Sequence, residues 1–150
     1  MDLLLWRHAE AVEGLPDHDR ALTDRGHEQA ERVAAWLHAH RPKNLRILVS
    51  PTLRTRQTAM ALTDAFTLVP SLGPTATTDD LLAASGWPDG GDACLIVGHQ
   101  PVLGQLAVLL LANVQTDCSI RKGALWWFRR RIRAGEMQTI LRTVISPDLL

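Results

Sequence analysis

The chain has 150 residues, 46% of them hydrophobic, and its 16 basic and 16 acidic side chains give a formal net charge of zero. This length favours one domain, residues 1–150, that is large enough to bury a hydrophobic core. The balanced charge excludes a general electrostatic attraction to nucleic acid or to a membrane surface.

The cysteine content and the apolar segments are not typical of a secreted or a membrane-spanning protein. Cys94 and Cys118 form no paired motif, which is typical of a reducing, intracellular compartment, so we expect a cytoplasmic location. The N-terminus has no signal-peptide pattern, and the longest apolar stretch, residues 102–112, is too short to cross a bilayer. Cys94 lies inside an apolar run and is expected to be an inert thiol of the core.

The first half of the sequence alternates strand and helix patterns. Residues 2–7 predict a short buried strand, which a polar loop follows. Thr23 is predicted to be the N-cap of an amphipathic helix that ends near Arg41. Residues 46–50 predict the next strand, and a helix with proline as its first residue is predicted over residues 51–66.

The second half continues this alternation but ends differently. The pattern predicts a short strand at 67–69, a short helix at 79–84, a buried strand at 93–98, a helix at 101–113, and strands at 124–130 and 136–145. The last two strands are joined by a tight turn and are expected to form an antiparallel hairpin. Strands that alternate with helices and then end in a hairpin predict an α/β fold. We expect a three-layer α/β/α sandwich whose mixed sheet is mostly parallel.

Basic residues follow three of the predicted strands at the point where each strand ends. Arg7 and His8 end the first apolar run, Arg54 lies just beyond the second, and His99 follows the third. Because ligands bind at the carboxyl ends of parallel strands, we expect these four side chains to converge on one pocket. Two arginines and two histidines around a small anion indicate phosphoryl transfer through a histidine.

Each of these residues has a chemical role in that hypothesis. A neutral His8 held in one tautomer is a good nucleophile toward phosphorus. Arg7 and Arg54 are expected to hold the equatorial oxygens of the transferring phosphoryl group. His99 would donate a hydrogen bond to a phosphoryl oxygen, most strongly as an imidazolium. No metal or other cofactor is expected, because no carboxylate or cysteine clusters with the histidines and two arginines repel a cation.

Four motifs carry a resemblance to a known family. They are RHAEA at 7–11, ALTDRGHEQA at 21–30, SPTLRTRQTA at 50–59 and VGHQP at 97–101, in that order along the chain. With these motifs the chain resembles the histidine phosphatase superfamily, and within it the compact SixA-type phosphohistidine phosphatases. The resemblance implies a fold like that of phosphoglycerate mutase.

The resemblance also implies a role for each matching residue. His8 would be the phosphorylated nucleophile, and Arg7, Arg54 and His99 would form its phosphate pocket. Arg20, just before the ALT segment, matches an arginine that is often found near the substrate phosphate in this branch.

The general acid is the least determined part of this hypothesis. Mutases and alcohol phosphatases of the superfamily use a carboxylic acid to protonate the leaving alkoxide, and Asp79 and Asp80 are the candidates in the corresponding region here. Asp79 is also a candidate helix N-cap. Glu10 and Glu13 lie near the site in sequence. The superfamily usually has glycine after the Arg-His pair, whereas this chain has Ala9, which is common in the SixA-like branch.

The sequence leaves more than one function open. Phosphohistidine expels imidazole, a better leaving group than an alkoxide, and a small domain leaves its pocket open, so a phosphohistidine-bearing protein is the favoured partner. One alternative is a small phosphorylated substrate, hydrolysed by a phosphomonoesterase with Asp79 or Asp80 as acid. Another is a non-catalytic module that binds a phosphate group.

The basic run at 129–133 is more typical of a solvated strand end than of nucleic-acid binding. We expect a monomer or weak dimer that binds neither nucleic acid nor membrane.

Overall fold

The computed structural model describes residues 1–150 and has one six-stranded sheet with helices on both faces. The strands are β1 (Asp2–Arg7), β2 (Leu45–Val49), β3 (Thr67–Leu68), β4 (Ala93–Gly98), β5 (Leu125–Arg133) and β6 (Glu136–Ile145). The helices are α1 (Asp24–His40), α2 (Leu53–Met60), α3 (Thr78–Ser85) and α4 (Val102–Ala112), and short 3-10 turns occupy Asp17–Asp19, Pro70–Leu72 and Pro147–Leu149. None of the helices combines the length and the apolar character that crossing a membrane requires.

The sheet is mixed, with the strand order β3-β2-β4-β1-β5-β6. The strands β3, β2, β4 and β1 run parallel to one another, and β5 and β6 complete the sheet with antiparallel pairing. β1 and β4 are covered on both faces, which is why their sequences are nearly continuous apolar runs. The predicted α/β/α sandwich, with a mostly parallel sheet and a C-terminal hairpin, is confirmed.

The sheet separates two hydrophobic cores. Leu4 of β1 packs with Leu37 of α1 on one face, and Leu5 packs with Leu103 of α4 on the other. Successive side chains of one strand therefore enter opposite cores. Cys94 is buried in the core that contains α4, and burial raises the pKa of its thiol to about 11, as an inert core thiol requires.

The N-caps of α1 and α3 differ in how well the sequence predicts them. Thr23 caps α1, as predicted, and its hydroxyl accepts a hydrogen bond from the Gly26 amide. The prediction of Asp79 as the cap of α3 is wrong. Thr77 is the cap, since its hydroxyl accepts from the Asp80 amide while the Asp80 carboxylate accepts from the Thr77 amide. This capping box satisfies two backbone amides at once, which Asp79 acting alone as the cap would not do.

α2 is shorter than the sequence pattern predicts. It covers Leu53–Met60, so the prediction of a helix over residues 51–66 is wrong at both ends. Thr52 is the N-cap, and at the other end the amide of Leu62 bonds to the carbonyl of Ala59, three residues back. A bond of this kind tightens the last turn and closes the helix, and apolar spacing does not reveal it.

The β5–β6 hairpin turns through Ala134 and Gly135, whose φ angles are 51° and 78°. Positive φ at both central residues is typical of a type I′ turn, in which asparagine is preferred at the first position over alanine. We therefore expect Ala134→Asn to raise the free energy of unfolding by about 0.5 kcal/mol, measured by urea unfolding. A variant less stable than the parent would contradict this assignment of the turn.

Candidate active site

Arg7, His8, Arg54 and His99, here called the quartet, lie together where β1 and β4 end. The pairing of β1 with β4 places Arg7 beside Gly98, so His8 and His99 are neighbours just past the two strands. The His8 amide donates to the Gly98 carbonyl at 3.1 Å, and the two imidazole centroids are 5.4 Å apart. Arg54, at the start of α2, is buried, and its charge acts on both imidazoles.

His8 is held as a neutral ring in one tautomer. Its Nδ1 lies 2.7 Å from the carbonyl oxygen of Ala9. A carbonyl only accepts hydrogen bonds, so Nδ1 carries the proton and Nε2 presents a lone pair. Burial, with smaller contributions from the charges of Arg54 and Arg7, lowers the pKa of His8 to about 4. At neutral pH the ring is therefore uncharged, as a nucleophile must be.

His99 is also neutral in the free protein. Burial, with smaller contributions from the neighbouring His8 and Arg54, lowers its pKa to about 3. Its Nε2 lies 2.7 Å from the hydroxyl of Ser50, the residue that follows β2. His99 is therefore not the imidazolium considered from the sequence, and a hydrogen bond from it to an anion would be an ordinary one and not a charge-assisted one.

Each arginine of the quartet has one nitrogen atom that is hydrogen-bonded to a backbone carbonyl and another that has no partner. Nη1 of Arg7 donates to the Ile120 carbonyl at 2.7 Å, and Nη1 of Arg54 donates to the Asp17 carbonyl at 2.8 Å. The Nε groups of both arginines are buried without a hydrogen-bond partner. Buried donors are almost always satisfied, so these groups are suited to an anionic ligand.

Asp17 contacts both Arg54 and Arg20, and it was not predicted from the sequence to belong to the site. One carboxylate oxygen accepts from Nη2 of Arg54 at 3.1 Å, and the other accepts from Nη1 of Arg20 at 3.2 Å. Nε of Arg20 also donates to the Val12 carbonyl at 2.7 Å, and its charge contributes to the lowered pKa of His8. The only signal in the sequence is an acidic residue three positions before Arg20 in a polar loop.

The loop after His8 is fixed by residues of the other motifs. The Ala9 amide donates to the hydroxyl of Thr58 at 3.0 Å, and the Glu10 amide donates to Oε1 of Gln29 at 2.9 Å. A Cβ on Gly26 would overlap the carbonyl oxygen of Glu10, so α1 approaches this loop as closely as its backbone allows. These supporting roles explain why the motifs extend beyond the quartet, and their only sequence signal was membership of those motifs.

The acidic residues suggested as proton donors have other partners. Hydrogen bonds within the capping box of α3 lower the pKa of Asp80, and Asp79 is exposed on the first turn of that helix. The Glu10 carboxylate accepts from the hydroxyl of Thr23 at 2.9 Å, and the Glu13 side chain is 92% exposed. None of these carboxylates bonds to the quartet. The chain also has no group of three His, Cys, Asp or Glu residues arranged to hold a metal ion.

A family model gives the classification of the chain. The model of the histidine phosphatase superfamily (branch 1) matches residues 3–82, which include Arg7, His8 and Arg54. The chain belongs to the histidine phosphatase superfamily. Phosphatase is the class of enzyme that this membership and the fold support.

Individual relatives agree with this classification. An uncharacterized protein of Mycobacterium tuberculosis is 31% identical over 125 residues, which cover 76% of this chain and 75% of that protein. The phosphohistidine phosphatase SixA of Escherichia coli is 29% identical over 122 residues, which cover 73% of this chain and 74% of SixA.

Solved structures of other proteins share the fold. The protein histidine phosphatase SixA complexed with tungstate has a TM-score of 0.79 at 24% identity, and 99% of each chain is covered. A phosphoserine phosphatase mutant from Entamoeba histolytica in complex with phosphoserine has a TM-score of 0.71 at 16% identity, covering 99% of this chain and 98% of that one. The fold is therefore common to relatives with different named substrates.

The contact between Gly26 and the Glu10 carbonyl leads to a test of the loop. We expect Gly26→Ala to lower the free energy of unfolding by about 1–3 kcal/mol, because the added methyl group must push the loop after His8 away from α1. Activity should fall with it, since the same loop carries the Ala9 carbonyl that orients His8. Urea unfolding and initial rates measure the two effects.

Gly73→Ala is the matched control for this substitution. Its nearest neighbour would be the Pro70 carbonyl oxygen at 3.5 Å, an ordinary contact distance. Stability and activity should therefore stay close to those of the parent protein. Equal effects of the two glycine substitutions would contradict the proposed packing of α1 on the loop.

The two buried histidines predict an acid-sensitive stability. Their pKa values fall from 6.5 in the unfolded chain to about 4 for His8 and about 3 for His99. The unfolded state therefore binds protons that the folded state does not, and stability present above pH 6.5 is lost as the pH falls toward 4. Each histidine contributes up to about 1.4 kcal/mol per pH unit in this window.

Comparison with a His8→Gln variant isolates the contribution of one ring. The free energy of unfolding, measured in urea at intervals from pH 7 to pH 4, should fall less steeply in the variant than in the parent. The acidic side chains are common to both proteins, so their contributions cancel in the difference. Parallel curves would contradict a neutral, buried His8.

Proposed function

We propose that the protein is a phosphohistidine phosphatase that acts through a covalent phosphohistidine intermediate on His8. The observation that carries this proposal is the hydrogen bond of 2.7 Å between Nδ1 of His8 and the Ala9 carbonyl. It leaves Nε2 of an uncharged ring available for attack, next to two arginines and a second histidine. Membership of the histidine phosphatase superfamily supports phosphatase chemistry at this position.

The reaction has two displacements at phosphorus. In the first, Nε2 of His8 forms a bond to phosphorus in line with the bond that breaks, and the imidazole of the substrate leaves and takes up a proton from solvent. In the second, water attacks the phosphoryl group, loses a proton, and releases inorganic phosphate. His8 then regains its neutral form. The proton stays on Nδ1 throughout, hydrogen-bonded to the Ala9 carbonyl, whose partial negative charge stabilises the positive charge that develops on the ring.

The other members of the quartet stabilise the charge on the phosphoryl oxygens. The Nε groups of Arg7 and Arg54 are buried and have no partner, so we expect them to be among the donors that hold the phosphoryl oxygens. We expect His99 to add a hydrogen bond from the adjacent end of β4. Fixed donors of this kind act most strongly on the equatorial oxygens in the transition state, where the charge is spread over all three.

The state of the nearby carboxylates supports phosphohistidine over a phosphate ester. An ester needs an acid to protonate its alkoxide, whereas Asp17 and Asp80 have lowered pKa values and Glu10 is bonded to Thr23. Imidazole leaves with less assistance. SixA of Escherichia coli, a relative of this chain, is named a phosphohistidine phosphatase, and tungstate in the SixA structure is a tetrahedral oxyanion like phosphate.

Release of phosphate from different substrates tests this proposal. We expect a higher kcat/KM for a phosphohistidine-bearing protein than for para-nitrophenyl phosphate or sugar phosphates. His8→Ala should abolish turnover without unfolding the protein. Arg54→Ala should lower kcat by about 10²- to 10³-fold, because it removes a fixed charged donor. Arg32, which is exposed on α1, provides the matched control in Arg32→Ala.

Three outcomes would overturn parts of the proposal. An active His8→Ala variant would contradict the covalent mechanism. Faster turnover of the esters would mean that the substrates are phosphomonoesters and not phosphohistidine. Absence of turnover with all of these substrates, together with binding of inorganic phosphate, would favour a module that only binds phosphate groups.

A further inference from the structure

The loop between β1 and α1 returns to the quartet through Asp17. This residue begins the short 3-10 turn Asp17–Asp19, and its backbone carbonyl and carboxylate together contact both Nη atoms of Arg54. The Arg54 side chain is 5% exposed, while that of Asp17 is 51% exposed. A residue with an exposed side chain thus holds a buried guanidinium at two points, once through its carboxylate and once through its backbone carbonyl.

The second carboxylate oxygen of Asp17 extends this contact to Arg20. Nη1 of Arg20 donates to it at 3.2 Å, and Nε of Arg20 donates to the Val12 carbonyl. We propose that Asp17 is a positioning residue of the phosphate site, whose carboxylate bridges Arg54 and Arg20 and sets the direction of both guanidinium groups. The inference rests on the proposed function in so far as the ligand of these arginines is a phosphoryl group.

The charge balance of the site gives a physical reason for this bridge. Arg7, Arg20 and Arg54 all lower the pKa of His8, so three positive charges act on one neutral ring. Without a counter-charge, a buried guanidinium such as Arg54 is costly and has no preferred direction. Asp17 supplies one negative charge in contact with Arg54. Its contacts use one N–H of each Nη of Arg54, and Nε is among the donors that remain for a ligand.

Proton donation is the other role that a carboxylate at this place suggests, and the contacts oppose it. Partial burial raises the pKa of Asp17, but hydrogen bonds from Arg54 and Arg20 outweigh this and lower it overall. The group is a carboxylate at neutral pH, and both of its oxygens are occupied by arginines. It therefore acts through the arginines and not on the leaving group.

Substitution of Asp17 tests the inference, with Asp19 as a matched control. Asp19 lies in the same short turn and contacts His18, not Arg54 or Arg20. We expect Asp17→Ala to lower kcat for para-nitrophenyl phosphate by ~10- to ~100-fold, with a smaller rise in KM, the loss typical of a group that orients a binding side chain. Asp17→Asn retains one acceptor oxygen and should be intermediate, and Asp19→Asn should behave as the parent.

Affinity for orthovanadate provides a second readout that does not depend on turnover. We expect Asp17→Ala to weaken orthovanadate binding by ~10-fold while urea unfolding confirms a folded protein. In an Arg20→Ala background the same substitution should have a smaller effect, because one of the two arginines it orients is gone. Additive effects would mean that Asp17 and Arg20 act independently and would overturn the bridge.

The two readouts also separate this inference from the proposed function. A parent protein that hydrolyses none of the substrates but binds orthovanadate refutes the enzyme, while the Asp17 variants still decide the bridge. Parental kcat, KM and orthovanadate affinity in Asp17→Ala would overturn the inference even if the parent is an active phosphatase. A parent that does not bind orthovanadate would overturn it as well, since the arginines would then hold no oxyanion.

Discussion

The parallel pairing of β1 with β4 is the constraint on which the site depends. Its register places Arg7 beside Gly98, and the His8 amide continues the ladder by bonding to the Gly98 carbonyl. His8 and His99 therefore meet across adjacent strand ends, although they are far apart in sequence. A parallel pair brings equivalent ends to the same edge of a sheet, so two short strands suffice to assemble half of the site.

Burial then decides the chemistry of the residues that the sheet brings together. The arginines keep their charge when desolvated, whereas the imidazoles lose theirs, because the pKa of an imidazole lies close enough to neutrality to be shifted past it. The low pKa values of His8 and His99 follow from this difference. One buried environment therefore contains both an uncharged His8 and two charged arginines, because the two residue types respond differently to desolvation.

The parts of the site that follow strand ends could be predicted from sequence, and the parts that depend on loops could not. Arg7, His8 and His99 lie at fixed offsets from apolar runs, so hydrophobic patterning and the parallel-sheet rule are enough to bring them together. Asp17 follows no periodicity, and its contact with Arg54 arises from the path of an irregular loop. The capping box of α3 was missed because one cap residue competed with another nearby, a choice that local propensity does not resolve.

The anchor of Arg7 has an evolutionary consequence. Its guanidinium is held by the backbone carbonyl of Ile120, a residue 113 positions away, between α4 and β5. A carbonyl is common to all residue types, so this hydrogen bond does not by itself require isoleucine at position 120. The Ile120 side chain is constrained separately, because it is buried in the core that contains α4. An insertion or deletion would move the carbonyl itself. Selection on this segment is therefore expected to act on its length and its buried side chains, and only weakly on its exposed residues.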